Sequence, residues 1–146
     1  QDTGRLDVWK IELELDGAGN QVESHETSPN IDIPDNNPAG ISSVLAFANQ
    51  GTTRQVKLAV QIEHTFIGDL RVELLSPSGR RAVLHAQTGE GADNLALNLD
   101  SNSPASPLLP LIGQPVQGNW ILRVTDLVGQ DVGKLKKWSL ELTPQM

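Results

Sequence analysis

The octet Val56-Lys57-Leu58-Ala59-Val60-Gln61-Ile62-Glu63 and the shorter run Leu70-Arg71-Val72-Glu73-Leu74 place an apolar side chain at every second position. An extended chain sends successive side chains to opposite faces, so Val56, Leu58, Val60 and Ile62 share one face while Lys57, Ala59, Gln61 and Glu63 share the other. Wound into a helix, the same residues would scatter apolar groups around the whole axis. The two segments therefore predict half-buried strands.

Working outward, the same period recurs. Trp120, Leu122 and Val124 alternate with Ile121, Arg123 and Thr125, and Leu135, Trp138, Leu140 and Leu142 flank Ser139 and Glu141. Near the start, Trp9, Ile11, Leu13 and Leu15 alternate with Lys10, Glu12 and Glu14; weaker candidates are Ile41 to Ala48, Ala82 to Ala86 and Leu95 to Leu99. Between them stand turn formers: Asp16-Gly17, Pro34-Asp35-Asn36-Asn37-Pro38-Ala39-Gly40, Asn49-Gln50-Gly51, Ser76-Pro77-Ser78-Gly79 and Gly89-Glu90-Gly91. No helical stripe interrupts the series. Many short strands without crossover helices predict an all-β fold, an antiparallel jelly-roll β-sandwich. Residues 101–119, rich in Ser and Pro, are the one long loop, expected to pack on a sheet through Leu108, Leu109 and Leu111.

Composition narrows the function classes. The 146 residues suit one domain with a single core. The absence of cysteine removes disulfide frameworks, thiolate metal sites and cysteine nucleophiles. A net charge of −7 repels phosphate backbones, so nucleic acid is an unlikely partner. No run approaches the roughly 18 apolar residues of a membrane helix; the greasiest, Leu108 to Ile112, is broken by Pro110. The expectation is a soluble chain with no membrane partner. Its start lacks the features of a signal peptide and reads as a processed or cut end.

One pattern occurs twice. Asp2-x-Gly4-x-Leu6-x-x-Trp9-x-x-Glu12-Leu13 is repeated, 129 positions later and without a gap, as Asp131-x-Gly133-x-Leu135-x-x-Trp138-x-x-Glu141-Leu142. Shared alternation explains part of this, but not the Asp-x-Gly-x-Leu-x-x-Trp core. The spacing predicts that residues 1–16 carry the last strand of a preceding copy, 17–30 a linker, 31–143 the sandwich and 144–146 a tail.

Two blocks are more specific still. The first runs His64-Thr65-Phe66-Ile67-Gly68-Asp69-Leu70-Arg71-Val72-Glu73-Leu74-Leu75-Ser76-Pro77-Ser78-Gly79. The second is Gly118-Asn119-Trp120-Ile121-Leu122-Arg123-Val124-Thr125-Asp126, followed by Asp131-Val132-Gly133-Lys134-Leu135 and Trp138-Ser139-Leu140-Glu141-Leu142. Together, over roughly residues 31–143, they resemble the P domain, or Homo B domain, of kexin- and furin-like proprotein convertases. The opening Ile33-Pro34-Asp35-Asn36-Asn37-Pro38-Ala39-Gly40-Ile41 looks like the domain's bacterial branch in subtilisin-like proteases. The resemblance implies a jelly-roll sandwich and a non-catalytic module that packs beside a serine endopeptidase and supports it. It also implies a secreted or cell-surface setting, sometimes in repeats. The chain itself contains no subtilisin-like domain.

The residues propose little catalysis. No serine sits in a Gly-x-Ser-x-Gly elbow, and His25, His64 and His85 lie in unrelated contexts. His64, at a strand end, is expected to bond nearby backbone. Calcium, which takes six to eight oxygens and accepts loop carbonyls, is the better candidate ligand. If the strands from Ile41 to Ala86 ran up and down in succession, Asp35, Asp69, Asp93 and Asn94 would meet at one pole and could hold it; the competing reading is local turn chemistry. Asp126 and Asp131 bracket the loop before the last strand, as a second calcium site or as shared turn geometry. Many bacterial relatives bind calcium, which the resemblance adds. Trp120 and Trp138 read as core, and Lys134, Lys136 and Lys137 as charge guarding an edge strand. The leading expectation is an accessory module, monomeric when isolated, whose partner is a neighbouring protease or other domain of the same polypeptide. The alternative is an adhesion or ligand-binding module of a tandem surface array.

Overall fold

The computed structural model describes residues 22–129 and 133–145. The alternating segments form strands, and their apolar faces can leave water only by meeting another apolar face, so two sheets close on each other. Among the described residues the strands are β1 (Glu23–Thr27), β2 (Ile31–Ile33), β3 (Asn37–Phe47), β4 (Thr52–His64), β5 (Leu70–Leu75), β6 (Arg81–Ala86), β7 (Leu95–Asp100), β8 (Gly118–Asp126) and β9 (Gly133–Gln145). One sheet has the order β1-β9-β4-β7, with β2 also on β9; the other has the order β3-β8-β5-β6. Every pairing is antiparallel. With β1 and β2 taken as one broken strand, eight strands divide four and four between the sheets as in a jelly roll, consecutive strands changing sheet except at the β5-β6 hairpin. They do not run up and down in succession: β3 and β4 lie in opposite sheets, as do β4 and β5.

The core is what the alternation predicts. Val56, Leu58, Val60 and Ile62 of β4 and Leu70, Val72 and Leu74 of β5 are buried, facing Leu122, Val124, Leu135, Leu140 and Leu142. Each such side chain taken fully out of water stabilises by about 1.5–3 kcal/mol. Trp120 and Trp138 are wholly buried. Their indole N–H groups donate to Val116 O (2.9 Å) and Ser43 Oγ (2.8 Å), which removes the cost of burying them. The loop after β7 packs through Leu108 and Leu111, but Leu109 points outward and is half exposed. A 3-10 turn at Leu109–Leu111 has only three residues per turn, so consecutive leucines cannot share a face. Thr53 pins this loop, donating its N–H to Gln114 O (2.9 Å) and accepting from Gly113 N–H (2.8 Å).

Part of the expected linker is strand. Residues 23–27 form β1 on the edge of β9, with Glu23 opposite Leu142 and Thr27 opposite Trp138. The inward side chains of β1 are polar, so hydrogen bonds and one ring contact hold them in place of apolar packing. The Glu23 carboxylate accepts from His25 Nε2 (2.6 Å) and from the backbone N–H groups of Ala48 and Asn49, fastening the turn between β3 and β4. The His25 ring meets Phe47 edge-on at 4.7 Å. Residues 34–40, expected as turn throughout, give way to β3 at Asn37, where a bulge between Asn37 and Ile41 shifts the register. Gly40 makes that bulge possible: its φ is +60°, and a Cβ there would stand 2.3 Å from Val124 O. The first copy of the repeat, residues 1–16, lies outside the described residues.

Candidate functional site

Several loops converge where β2, β4 and β8 end and β3, β5 and β9 begin. Register fixes this pole: Gly133 pairs with both Ile33 and His64, and Asp126 with both Asn37 and Leu70. At its centre is a buried ion-capable pair. His64 Nε2 lies 2.9 Å from Asp126 Oδ2, and both side chains are completely shielded from solvent. Phe66 N–H donates to His64 Nδ1 (3.0 Å), so the ring proton sits on Nε2 and is given to Asp126. The second Asp126 oxygen accepts from Val128 N–H (3.2 Å). The backbone of His64 is held as firmly: its N–H donates to Asn94 Oδ1 (3.1 Å), and its carbonyl accepts from Asn94 N–H (2.8 Å).

This packing leaves no room for a side chain at Gly133. A Cβ there would stand 2.2 Å from Glu63 O and 2.6 Å from His64 Cδ2. The Gly of the repeated Asp-x-Gly motif is therefore needed so that β9 can cross closely over His64.

The loops around the pair are also locked. His85 Nε2 donates to Ile67 O (2.9 Å), while Ile67 N–H donates to Ala92 O (3.0 Å) and Gly68 N–H to Glu90 O (2.9 Å). Asp69 is buried in the 3-10 turn Ile67–Asp69, and its carbonyl accepts from Leu127 N–H (2.9 Å). That bond ties the start of β5 to the end of β8.

The sequence-selected residues that are described fall at this pole but do not form one cluster. Asp69 and Asp126 are buried, Asp69 in the 3-10 turn before β5 and Asp126 at the end of β8. Asp93 and Asn94 are exposed and line a cavity of about 590 Å³ with Asp32, Glu63, His64 and Lys134. Asp35 is exposed in the turn before β3, away from that lining, and Asp131 lies outside the described residues. Among the described residues no three acidic or imidazole side chains converge as a metal cage. Asp126 accepts from His64 and Val128, and Asn94 Oδ1 accepts from the His64 N–H. Asp32 and Glu63, which sequence reading did not select, belong to the cavity wall and face Lys134 (3.5 Å) and Lys136 (3.9 Å). Their only sequence signal is the outward phase of strands that end at this pole.

A jelly-roll sandwich whose pole carries loop carboxylates and a sealed His–Asp pair belongs to the class of all-β sandwich modules. The proprotein convertase P-domain model matches residues 53–142, from β4 into β9, and the chain belongs to the proprotein convertase P-domain family. A calcium-dependent protease of Nostoc sp. is 35% identical over 144 residues, covering 95% of this chain and 21% of that protein. Leupeptin-inactivating enzyme 1 of Streptomyces exfoliatus is 33% identical over 138 residues, covering 91% of this chain and 28% of the relative. The chain thus spans between a fifth and three tenths of the length of these relatives. Among solved structures, the Aeromonas sobria serine protease in complex with its chaperone shares the fold. Its TM-score is 0.62 at 21% identity, over 86% of this chain and 27% of that one.

Proposed function

We propose that this chain is a non-catalytic accessory module of a secreted or cell-surface protease, packing against the neighbouring domain of the same polypeptide and stabilising it. The observation that carries this reading is the P-domain match across β4 to β9, together with the small share of each protease relative that the chain spans. The chemistry agrees with it. His64 has its ring proton committed to Asp126 and its other nitrogen to Phe66, so it is not presented to any serine as a base. Outside its protease the module is a monomer.

Calcium enters the same reading as a stabilising ligand of the pole. Its support is the supply of carboxylates there, Asp35, Asp69 and Asp93 in their loops with Asp131 between β8 and β9 in sequence, and the name of the Nostoc relative. Because the described side chains do not form a cage, occupancy requires the pole loops to turn further oxygens inward.

An alternative, an adhesion or ligand-binding module from a tandem surface array, is favoured by the repeat of Asp2 to Leu13 in Asp131 to Leu142. Reading the coding sequence on either side separates the two: a protease domain supports the accessory module, and further copies at 129-residue spacing support the array. Casein and short basic peptides incubated with pure chain should stay intact. Turnover abolished by replacing a single serine would overturn the non-catalytic reading.

A further inference from the structure

The charges of the two outer faces are arranged differently. On the β1-β9-β4-β7 sheet each lysine has its own carboxylate: Lys57 with Glu141, Lys134 with Asp32, Lys136 with Glu63 and Lys137 with Glu26. On the outer face of the β3-β8-β5-β6 sheet, three arginines gather around one glutamate. Period two brings Arg71 and Glu73 of β5 outward, Glu73 pairs with Arg123 of β8, and Arg81 of β6 pairs with Leu75. Arg71 Nε donates to Glu73 Oε2 at 2.7 Å, Arg81 Nη1 stands 3.6 Å from the same oxygen, and Arg123 Nη2 donates to Pro38 O at 3.2 Å. Although it sits on an outward position, the Glu73 side chain is only 6% exposed. The three guanidinium groups outnumber their carboxylate by two charges, on a chain whose net charge is −7.

These side chains line a cleft of about 280 Å³, walled also by Pro38, Thr125 and Leu127. Each guanidinium carries five donors in a planar fork, and the bonds above use few of them. The remaining donors are shaped for carboxylate or phosphate oxygens.

We propose that this cleft is a docking site for an acidic peptide segment, taking one or two carboxylate side chains on Arg71, Arg81 and Arg123 while Glu73 holds the arginines in place. The proposal deepens the accessory reading by naming the surface and its chemistry, and rests on it for the source of the carboxylates, the neighbouring domain. Size and charge favour a peptide. The cleft admits one or two side chains, not the track of a polymer, and the surrounding negative charge repels an extended polyanion while a short-range carboxylate feels the arginines first. Val83, exposed on the adjoining edge strand and opposite Glu73 in register, offers an apolar contact to a residue between two acids.

The test is an NMR titration of the full chain, following arginine Nε–H resonances. The probe is a blocked peptide with two glutamates flanking a valine; its glutamine counterpart and inorganic phosphate serve as comparisons. The glutamate peptide should shift Arg71, Arg81 and Arg123 saturably and leave exposed Arg80 still. Raising salt should weaken binding, and Arg81→Gln with Arg123→Gln should weaken it about tenfold or more. A melting scan of that double variant checks that it is folded; Arg81→Gln alone is the fallback. No saturable shift, an equal shift at Arg80, or phosphate binding as well as the peptide would overturn the proposal. Saturable binding alongside a protease unaffected by removal of the module keeps the cleft and dismisses the neighbour as its ligand. Absent binding alongside a destabilised protease dismisses the cleft and keeps the accessory role.

Discussion

Replacing His64 with alanine probes the centre of the pole. The imidazole is the donor to a carboxylate that has no access to water, and it accepts the Phe66 N–H. Its loss leaves Asp126 with the single Val128 N–H and leaves the Phe66 N–H without this acceptor. Stranding a buried carboxylate by taking away its hydrogen-bond donor costs about 3–5 kcal/mol, a large part of the 5–15 kcal/mol by which a domain is typically stable. At roughly 3 °C per kcal/mol for a domain of this size, the melting temperature should fall on the order of 10–15 °C. Urea unfolding of His64→Ala, Asp126→Ala and the double variant forms the assay. The double variant should be less damaged than the two single losses added together, with about 2 kcal/mol of coupling, because removing both partners strands neither. Single losses below about 1 kcal/mol that simply add would refute the view that this pair holds the pole.

Gly133→Ala should destabilise by about 3 kcal/mol, read from the urea midpoint, because the new Cβ meets Glu63 O and His64 and the strands must part. Millimolar calcium, if it binds only the folded chain, should raise the melting temperature over chelator by about 5–10 °C, and Asp69→Ala should remove most of that difference; coincident curves would dismiss calcium. Asp100 is held below the usual carboxylate range first by the Asn102 N–H, then by Gln55 and Lys57. With the folded value depressed, the unfolded chain binds the proton first on acidification, so this contribution is complete above about pH 4 and fades below it as pH falls through the folded value. Asp100→Asn should flatten the acid limb of stability in that window.

The sheets were legible because their signal is local. Val56 to Glu63 and Leu70 to Leu74 alternate strictly, and burial alone then dictates which face is core. β1 was not legible, because Glu23, His25 and Thr27 face inward without being apolar; Glu23 is held by the N–H groups of Ala48 and Asn49, some 25 residues away, a contact that no periodicity reports. The pole was half legible. Turn-forming Asp35, Asp69, Asp93 and Asn94 marked where strands end, but the oxygens of Asp126 and Asn94 look free in sequence and are spent on His64 and Val128 in the fold. His64 does bond nearby backbone through Phe66, whereas its partner Asp126 lies 62 residues on and is brought close only by the crossing of β4 and β8 between sheets. The arginine cleft escaped notice for a similar reason: Arg71, Arg81 and Arg123 are single outward positions on three strands, and only the order β8-β5-β6 makes them neighbours.

The central claim, an accessory module that supports an adjoining protease, is tested most directly by the rate of thermal inactivation of that protease with the module present and with residues 22–145 removed. The account predicts similar initial kcat/KM toward a short peptide substrate and a half-life shortened about tenfold or more without the module, the loss of roughly 1.4 kcal/mol of kinetic protection. Equal half-lives with and without the module would contradict it.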